Sequence, residues 1–523
     1  MQETTQPDPQ GQEGIHRRLI AGTAGKLMSL AINFGEQILL VPIFLYFWGP
    51  DRFADWTVLI ATASFVGLID LGLQNYYSNG LQLALSRGDE RKFSRMLHEA
   101  AALYLGLATI GAAAILALAG SVDWTSALNL TGAGGSPPDA VLILLGLHFV
   151  AMLPFGIGNA VYRAHGDFVL GIMVGNLLRL ALIAAIFGGL SVGINAAGLA
   201  GIHVAVAIIA WLAMVLHQTR RYTDLRYGIR LPDRVAMKEV FAVAPLYAAV
   251  LGATMLTTHG TIFLVSGLAA NGAAAALLYR TLRTLIGMIR LIPDQIMHVT
   301  GVEMARQYAQ DDAGSLSRTY GFFSRFAGGL CGGFAGMVAY LAPPFFLLWT
   351  LGDIPFDATV FWPLLAAAAF AGPSLAGTSV LFFINKPAGM AGAHIAAGLA
   401  TLILCAVLIP ELGAAGAAWA VLAAEALILS TVIPWQTARI LSINAPRMIL
   451  HTHLYMVASF VISALCAWAA VTVCGAETLP RLVLAGIVWT ALAAGPAFFL
   501  LFDGAQREWL LHQILTRTGL RRG

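Results

Sequence analysis

Apolar residues in this chain come in blocks of about 20 or more, separated by short polar breaks, and a block of that length lets a helix cross a bilayer. Fourteen such blocks are counted, at about 19–48, 56–83, 96–120, 140–162, 168–190, 194–216, 239–267, 273–299, 320–349, 358–384, 388–410, 413–436, 450–474 and 481–502. Twelve spans is the alternative count. Residues 1–18, whose first part is rich in Gln, Glu, Pro and Thr, are read as a cytoplasmic tail. No cleavable signal peptide is expected, because the first apolar block is long, is interrupted by Lys26 and Glu36, and lacks a cleavage site. Composition agrees with a polytopic all-α membrane protein: 58% of the 523 residues are hydrophobic and 11% charged, and the mean hydropathy is +0.77.

Charge fixes an orientation that net charge, only +3, does not reveal. With fourteen spans, 22 of the 30 Lys and Arg residues fall before span 1 or after an even-numbered span, and only Arg52 and Arg481 lie on the other side. The positive-inside rule then makes both termini cytoplasmic. A wrong count would scramble this asymmetry.

The chain also echoes itself. Ser94-Arg95 after span 2 and Ser317-Arg318 after span 8 are 223 residues apart, and the same offset sets Glu36 of span 1 against His259 of span 7. One residue more sets Asp70 against Asp294, and Ala196-Ala-Gly198 echoes Ala414-Ala-Gly416. Six spans per unit make the copies parallel. The expected organisation is an N-lobe at 19–217, a basic cytoplasmic linker at 218–238, a C-lobe at 239–436, and two extra spans at 450–502. Residues 503–523 follow as a basic amphipathic cytoplasmic tail that suits the membrane surface.

Within span 8, Arg280, Arg283, Arg290 and Asp294 fall within roughly 80° of one another on a helix. An arginine facing lipid costs about 2.5–3.5 kcal/mol on the insertion scale, so this stripe must face other helices or water. It is read as the cationic wall of a central cavity between the lobes, joined by Arg179 of span 5; the bland alternative is charge pairing that glues helices together. Asn33, Glu36, Gln37, Asp70, Gln74, Tyr77 and His259 supply the polar remainder of the cavity. Glu36, Asp70, His259 and Asp294 are also candidates for coupling to H+ or Na+. In span 9, Gly328, Gly332 and Gly336 make a double small-xxx-small pattern, expected to mark close helix packing. The four cysteines have no metal spacing and read as packing residues.

No nucleotide-binding loop is present, Gly156-Ile-Gly158 lies inside span 4, and no cofactor or nucleic-acid partner is expected. Asp51 and Asp55 in a short external loop leave a membrane glycosyltransferase or polymerase as the least favoured reading, since so short a loop cannot shield a reaction.

Val41-Pro-Ile-Phe-Leu-Tyr-Phe-Trp-Gly49, Phe53-Ala-Asp-Trp56, Asp70-Leu-Gly-Leu73 and Leu408-Ile-Pro-Glu-Leu-Gly413-Ala-Ala-Gly416 resemble bacterial polysaccharide flippases of the multidrug/oligosaccharidyl-lipid/polysaccharide exporter superfamily. The family more often has Tyr-Gly before the Trp, where Ala54-Asp55 stands here. The resemblance implies two six-helix lobes around a cavity, an inner-membrane location, and an undecaprenyl-diphosphate-linked glycan as substrate. Its partners would be membrane lipids and the glycosyltransferases and polymerase that make and consume the glycan. A multidrug or organic-cation exporter and a lipid-II-type flippase are the alternatives.

Overall fold

The computed structural model describes residues 9–508 except positions 71, 134, 224, 311, 312, 385, 503 and 505; side chains are described from Met28 onward, with a few further positions omitted. The expected surface tail, with Trp509 to Arg522, lies almost wholly outside the described residues. Two compact units are formed, Met1–Leu251 and Gly252–Gly523.

The first unit opens on α1 (Pro9–Ser64), which bends at Gly49 with φ 71° and ψ 174°. Phe44 stacks on Phe53 at 4.9 Å and lies 6.1 Å from Trp56, whereas a straight helix would separate Phe44 and Trp56 by about 18 Å along its axis. The chain therefore turns back at Gly49-Pro50, glycine supplying the positive φ and proline the start of the next helix. Trp48 donates to the Ile194 carbonyl (3.1 Å) and fastens the turn. The second crossing is broken: a 3-10 stretch, Phe65–Asp70, and left-handed Gly72 (φ 76°) precede α2 (Leu73–Ser86). There follow α3 (Glu90–Ala119), a single turn α4 (Trp124–Ala127), α5 (Pro138–Ala164), α6 (Phe168–Ser191) and α7 (Ala196–Arg221). Helix α5 is the central staff, packing on α1, α2, α3, α6 and α7.

Helix α8 (Arg234–Met255) straddles the division between units. The second unit continues with a π-helical turn (Leu256–Gly260), α9 (Thr261–Leu268), α10 (Gly272–Ala309), α11 (Ala313–Trp349), α12 (Ala358–Phe383) and α13 (Pro387–Leu412). Then come α14 (Ala414–Ala424), a second π-helical turn (Glu425–Leu429), α15 (Ser430–Ile440), α16 (Ala445–Cys474) and α17 (Leu479–Leu501). Helix α12, rich in Ala, is buried on nearly every side by α10, α11, α14 and α15. The two Ala-Ala-Gly segments both open helices: Asn195 caps α7 by accepting from the Gly198 amide (2.9 Å), and α14 starts after Gly413 at φ 57°.

The glycine stripe of span 9 docks α11 on α16. A Cβ on Gly328, Gly332 or Gly336 would come within 3.1, 2.1 and 2.4 Å of the carbonyl oxygens of Thr452, Met456 and Phe460. Both rows advance four residues at a time, so hydrogen replaces side chain along a full seam of backbone approach. Helix α16, the first of the two extra spans, is thus packed closely on α11 within the second unit.

Among the described residues, twelve helices are long and apolar enough to cross a membrane. One of them, Met28–Asp70, contains the turn at Gly49, and the arginine-bearing α10 is not among the twelve. The protein is an all-helical multi-pass membrane protein.

Candidate functional site

The arginines of α10 meet the two π-helical turns of the second unit. A π turn widens the helix and releases carbonyls from regular pairing. At the first turn, Arg283 Nη1 lies 2.7 Å from the Thr257 carbonyl, 3.1 Å from Thr261 Oγ1 and 2.7 Å from the Tyr279 hydroxyl, to all of which it donates. Its guanidinium carbon also sits 5.8 Å from the Tyr279 ring centre. One edge of the fork is thereby held, and the remaining guanidinium nitrogens have no protein acceptor among the described residues. Arg280 is half-buried, and its Nη1 is enclosed without a hydrogen-bond partner. His259, in the same turn, feels the charges of Arg280 and Arg283, and its Nδ1 is likewise unpartnered.

At the second turn, Arg290 Nη1 is 3.8 Å from Glu425 Oε2, while Glu425 Oε1 is buried without a partner. Asp294 is exposed and makes no ion pair within 4 Å among the described residues, though Arg290 and His298 influence it. The stripe therefore divides: Arg290 has a carboxylate within 4 Å, whereas Arg280 and Arg283 have none among the described residues, Glu425 acting on Arg283 only at longer range. The sequence reasoning gave Glu425 no role, although a carboxylate in the middle of an apolar span was the signal that could have found it.

The first unit holds the rest of the expected residues. Arg179 Nε pairs with Glu36 Oε2 at 3.3 Å on the wall of a cavity of about 550 Å³. Asn33 accepts a long bond from Gln37 (3.4 Å). Asp70, Gln74 and Tyr77 lie at the start of α2 and at the break before it. Asp70 accepts from the buried Tyr104 hydroxyl at the break between the 3-10 stretch and α2. Gln74 lies where a Cβ on Gly156 would clash at 2.3 Å, and Tyr77 is enclosed in a core cluster with Leu81, Leu97 and Leu153. Just after the Gly49 turn, Asp55 accepts from the amide and hydroxyl of Thr131 (2.7 and 2.9 Å), and Arg52 donates to the Ala133 carbonyl (2.8 Å). Asp55 therefore serves to pin the loop.

The described residues contain no cluster of His, Cys, Asp and Glu able to hold a metal ion. No protein-family model and no curated protein sequence matches the chain. Solved structures do match. The inward closed conformation of the lipid II flippase MurJ is similar with a TM-score of 0.63 at 12% identity, over 91% of this chain and 98% of that one. The fold is similar to that of solved MOP superfamily transporters.

An inward-facing multidrug resistance MATE family transporter of that superfamily matches with a TM-score of 0.59 at 13% identity, over 83% of this chain and 95% of that one. A MOP superfamily transporter from Pyrococcus furiosus, described by the reversed polarity of its binding pocket, matches with a TM-score of 0.55 at 15% identity, over 82% and 95%. These MOP-fold neighbours are flippases and transporters rather than enzymes.

Proposed function

We propose that this MOP-fold protein is a flippase that carries a polyprenyl-diphosphate-linked oligosaccharide from the cytoplasmic to the periplasmic leaflet of a bacterial inner membrane. The product would feed O-antigen, capsule or exopolysaccharide assembly, with glycosyltransferases upstream and a polymerase downstream as functional partners. Both termini are cytoplasmic on this reading, because the basic loops stay inside.

The observation that carries it is the pair of arginines, Arg280 and Arg283, that have no carboxylate within 4 Å among the described residues, in the middle of a membrane-spanning helix, with Arg283 pre-oriented by Thr257, Thr261 and Tyr279. A planar guanidinium offers paired donors to a diphosphate, and a poorly solvated site strengthens the contact. The likeness to a lipid II flippase supports a lipid-linked diphosphate cargo. The likeness to multidrug transporters leaves an organic-cation exporter as the rival, which the arginines oppose: they would repel such a cargo. Transport proceeds by alternating access, with Glu36, Asp70, His259 and Asp294 as candidates for H+ or Na+ coupling.

Cells lacking the protein are expected to accumulate lipid-linked oligosaccharide that an impermeant sugar-modifying reagent cannot reach. The wild-type gene clears it; Arg283→Glu, inserted normally, does not. Wild-type clearance by Arg283→Glu removes α10 from the substrate path. Absence of accumulation favours drug export.

A further inference from the structure

An apolar groove runs between α3 and α7 of the first unit. Both helices pack on α5, whose Pro154 and Ile157 form the floor, with Leu105 and Ala108 on one wall and Trp211 and Val215 on the other. One end is closed by Tyr227-Gly-Ile229 of the basic linker, and that end wall is held from several directions. His98 Nε2 donates to the Arg226 carbonyl (2.8 Å), the Arg230 amide donates to the His98 carbonyl (3.2 Å), and Gly228 lies against the His98 ring, where a Cβ would come within 3.0 Å. The Tyr227 hydroxyl donates to Gln218, whose own amide donates to the Gly158 carbonyl of α5 (2.7 Å). The end wall is therefore part of the packed unit.

The groove measures about 630 Å³. Left empty it would forfeit contacts along every wall, and water would find almost no polar partner in it. Leu105 and Ile229 are 56% and 71% exposed, so the groove opens outward along its length and at its closed end. Arg226 and Arg230 flank the three end-wall residues; both are exposed, and neither has a carboxylate within 4 Å among the described residues. An apolar slot ending in two free guanidinium groups complements an acyl chain joined to a phosphate. We propose that the groove binds an anionic glycerophospholipid of the leaflet that the basic linker marks, one acyl chain lying between α3 and α7 and the phosphate held by Arg226 and Arg230. A polyprenyl phosphate offers similar chemistry, but its chain of many isoprene units exceeds a space of this size. The bound lipid fastens the linker to the bilayer, and the site is independent of which cargo the protein carries.

The test uses the purified full chain in phosphatidylcholine nanodiscs with a phosphatidylglycerol probe that carries a photoreactive diazirine in one acyl chain. Peptide mapping after irradiation is expected to find the label concentrated on the groove residues of α3 and α7. Unlabelled phosphatidylglycerol should suppress that label at about tenfold lower concentration than phosphatidylethanolamine of the same chains or undecaprenyl phosphate. Arg226→Gln combined with Arg230→Gln should erase the preference over phosphatidylethanolamine, whereas Arg318→Gln in the second unit should keep it. Ala108→Trp, which fills the slot and leaves both arginines in place, should remove the groove label. Thermal unfolding shows whether each variant is folded, and the surface arginine variant carries the test alone if Ala108→Trp is not. Label no denser in the groove than at the exposed Ile487 of α17 overturns the proposal, as does equal competition by phosphatidylethanolamine. A preference that survives loss of both arginines overturns it too. Stronger displacement by undecaprenyl phosphate than by phosphatidylglycerol also overturns it and gives the groove to a polyprenyl chain.

Discussion

At the residue scale, the membrane-embedded charges sort by whether the protein itself neutralises them. Arg290 and Arg179 have carboxylates at 3.8 and 3.3 Å; Arg280 and Arg283 have none within 4 Å among the described residues. Buried pairs are seldom a source of net stability, but half a pair is costly. Glu425→Gln is therefore expected to destabilise the protein by about 1–2 kcal/mol, at the low end because Arg290 keeps access to solvent. Adding Arg290→Gln should recover part of that loss. Thermal unfolding of both variants in detergent reads it, and a double variant no more stable than the single one shows the two residues uncoupled.

At the element scale, two joints are built by different means. The α11–α16 seam depends on missing side chains. Gly332→Ala drives a Cβ into the Met456 carbonyl and is expected to cost about 1–3 kcal/mol. Gly333→Ala, with nothing within 4 Å of the added carbon, should be neutral or slightly stabilising. Equal effects at both positions, measured by unfolding in detergent, would refute the seam. The other joint is electrostatic. Asp167, between α5 and α6, accepts from Arg221 Nε (2.8 Å) and the Tyr222 hydroxyl (2.6 Å), and Tyr222 stacks on His165 at 3.9 Å. The Arg221 hydrogen bond foremost, then that from Tyr222, holds the Asp167 carboxyl below its usual range. A carboxylate with a lowered folded-state value stabilises fully above its ordinary value, about pH 4, and loses that contribution as pH falls through the lowered one. Asp167→Asn should thus be less stable than wild type at pH 7, and the gap should close in acid. A gap that is the same at pH 7 and pH 3 excludes the ion pair as its source.

At the scale of the whole molecule, topology is open to direct measurement. In a chain cleared of Cys331, Cys405, Cys466 and Cys474, Ala127→Cys is expected to react with an impermeant thiol reagent in intact cells. Ser86→Cys should react only after lysis. The reverse pattern inverts the protein and with it the direction of transport.

Sequence by itself marked the apolar segments long enough to cross a bilayer and the loops that carry the basic residues, because both are local properties that no tertiary contact has to supply. The glycine seam was legible for the same reason: spacing of four on a helix is a local property, even though its partner, α16, was not. The cationic stripe of α10 could be read, but its division into paired and unpaired arginines was not, since Glu425 approaches from 135 residues away along the chain. Likewise Asp70, Gln74 and Tyr77 share a polar stripe in the sequence, and only packing gives Asp70 the Tyr104 hydroxyl and encloses Tyr77 in a core cluster while Gln74 stays exposed. Asn159 and Asn176 carry no pattern in the sequence; that Asn159 Oδ1 and Asn176 Nδ2 are enclosed without a hydrogen-bond partner exists only once α5 and α6 are packed.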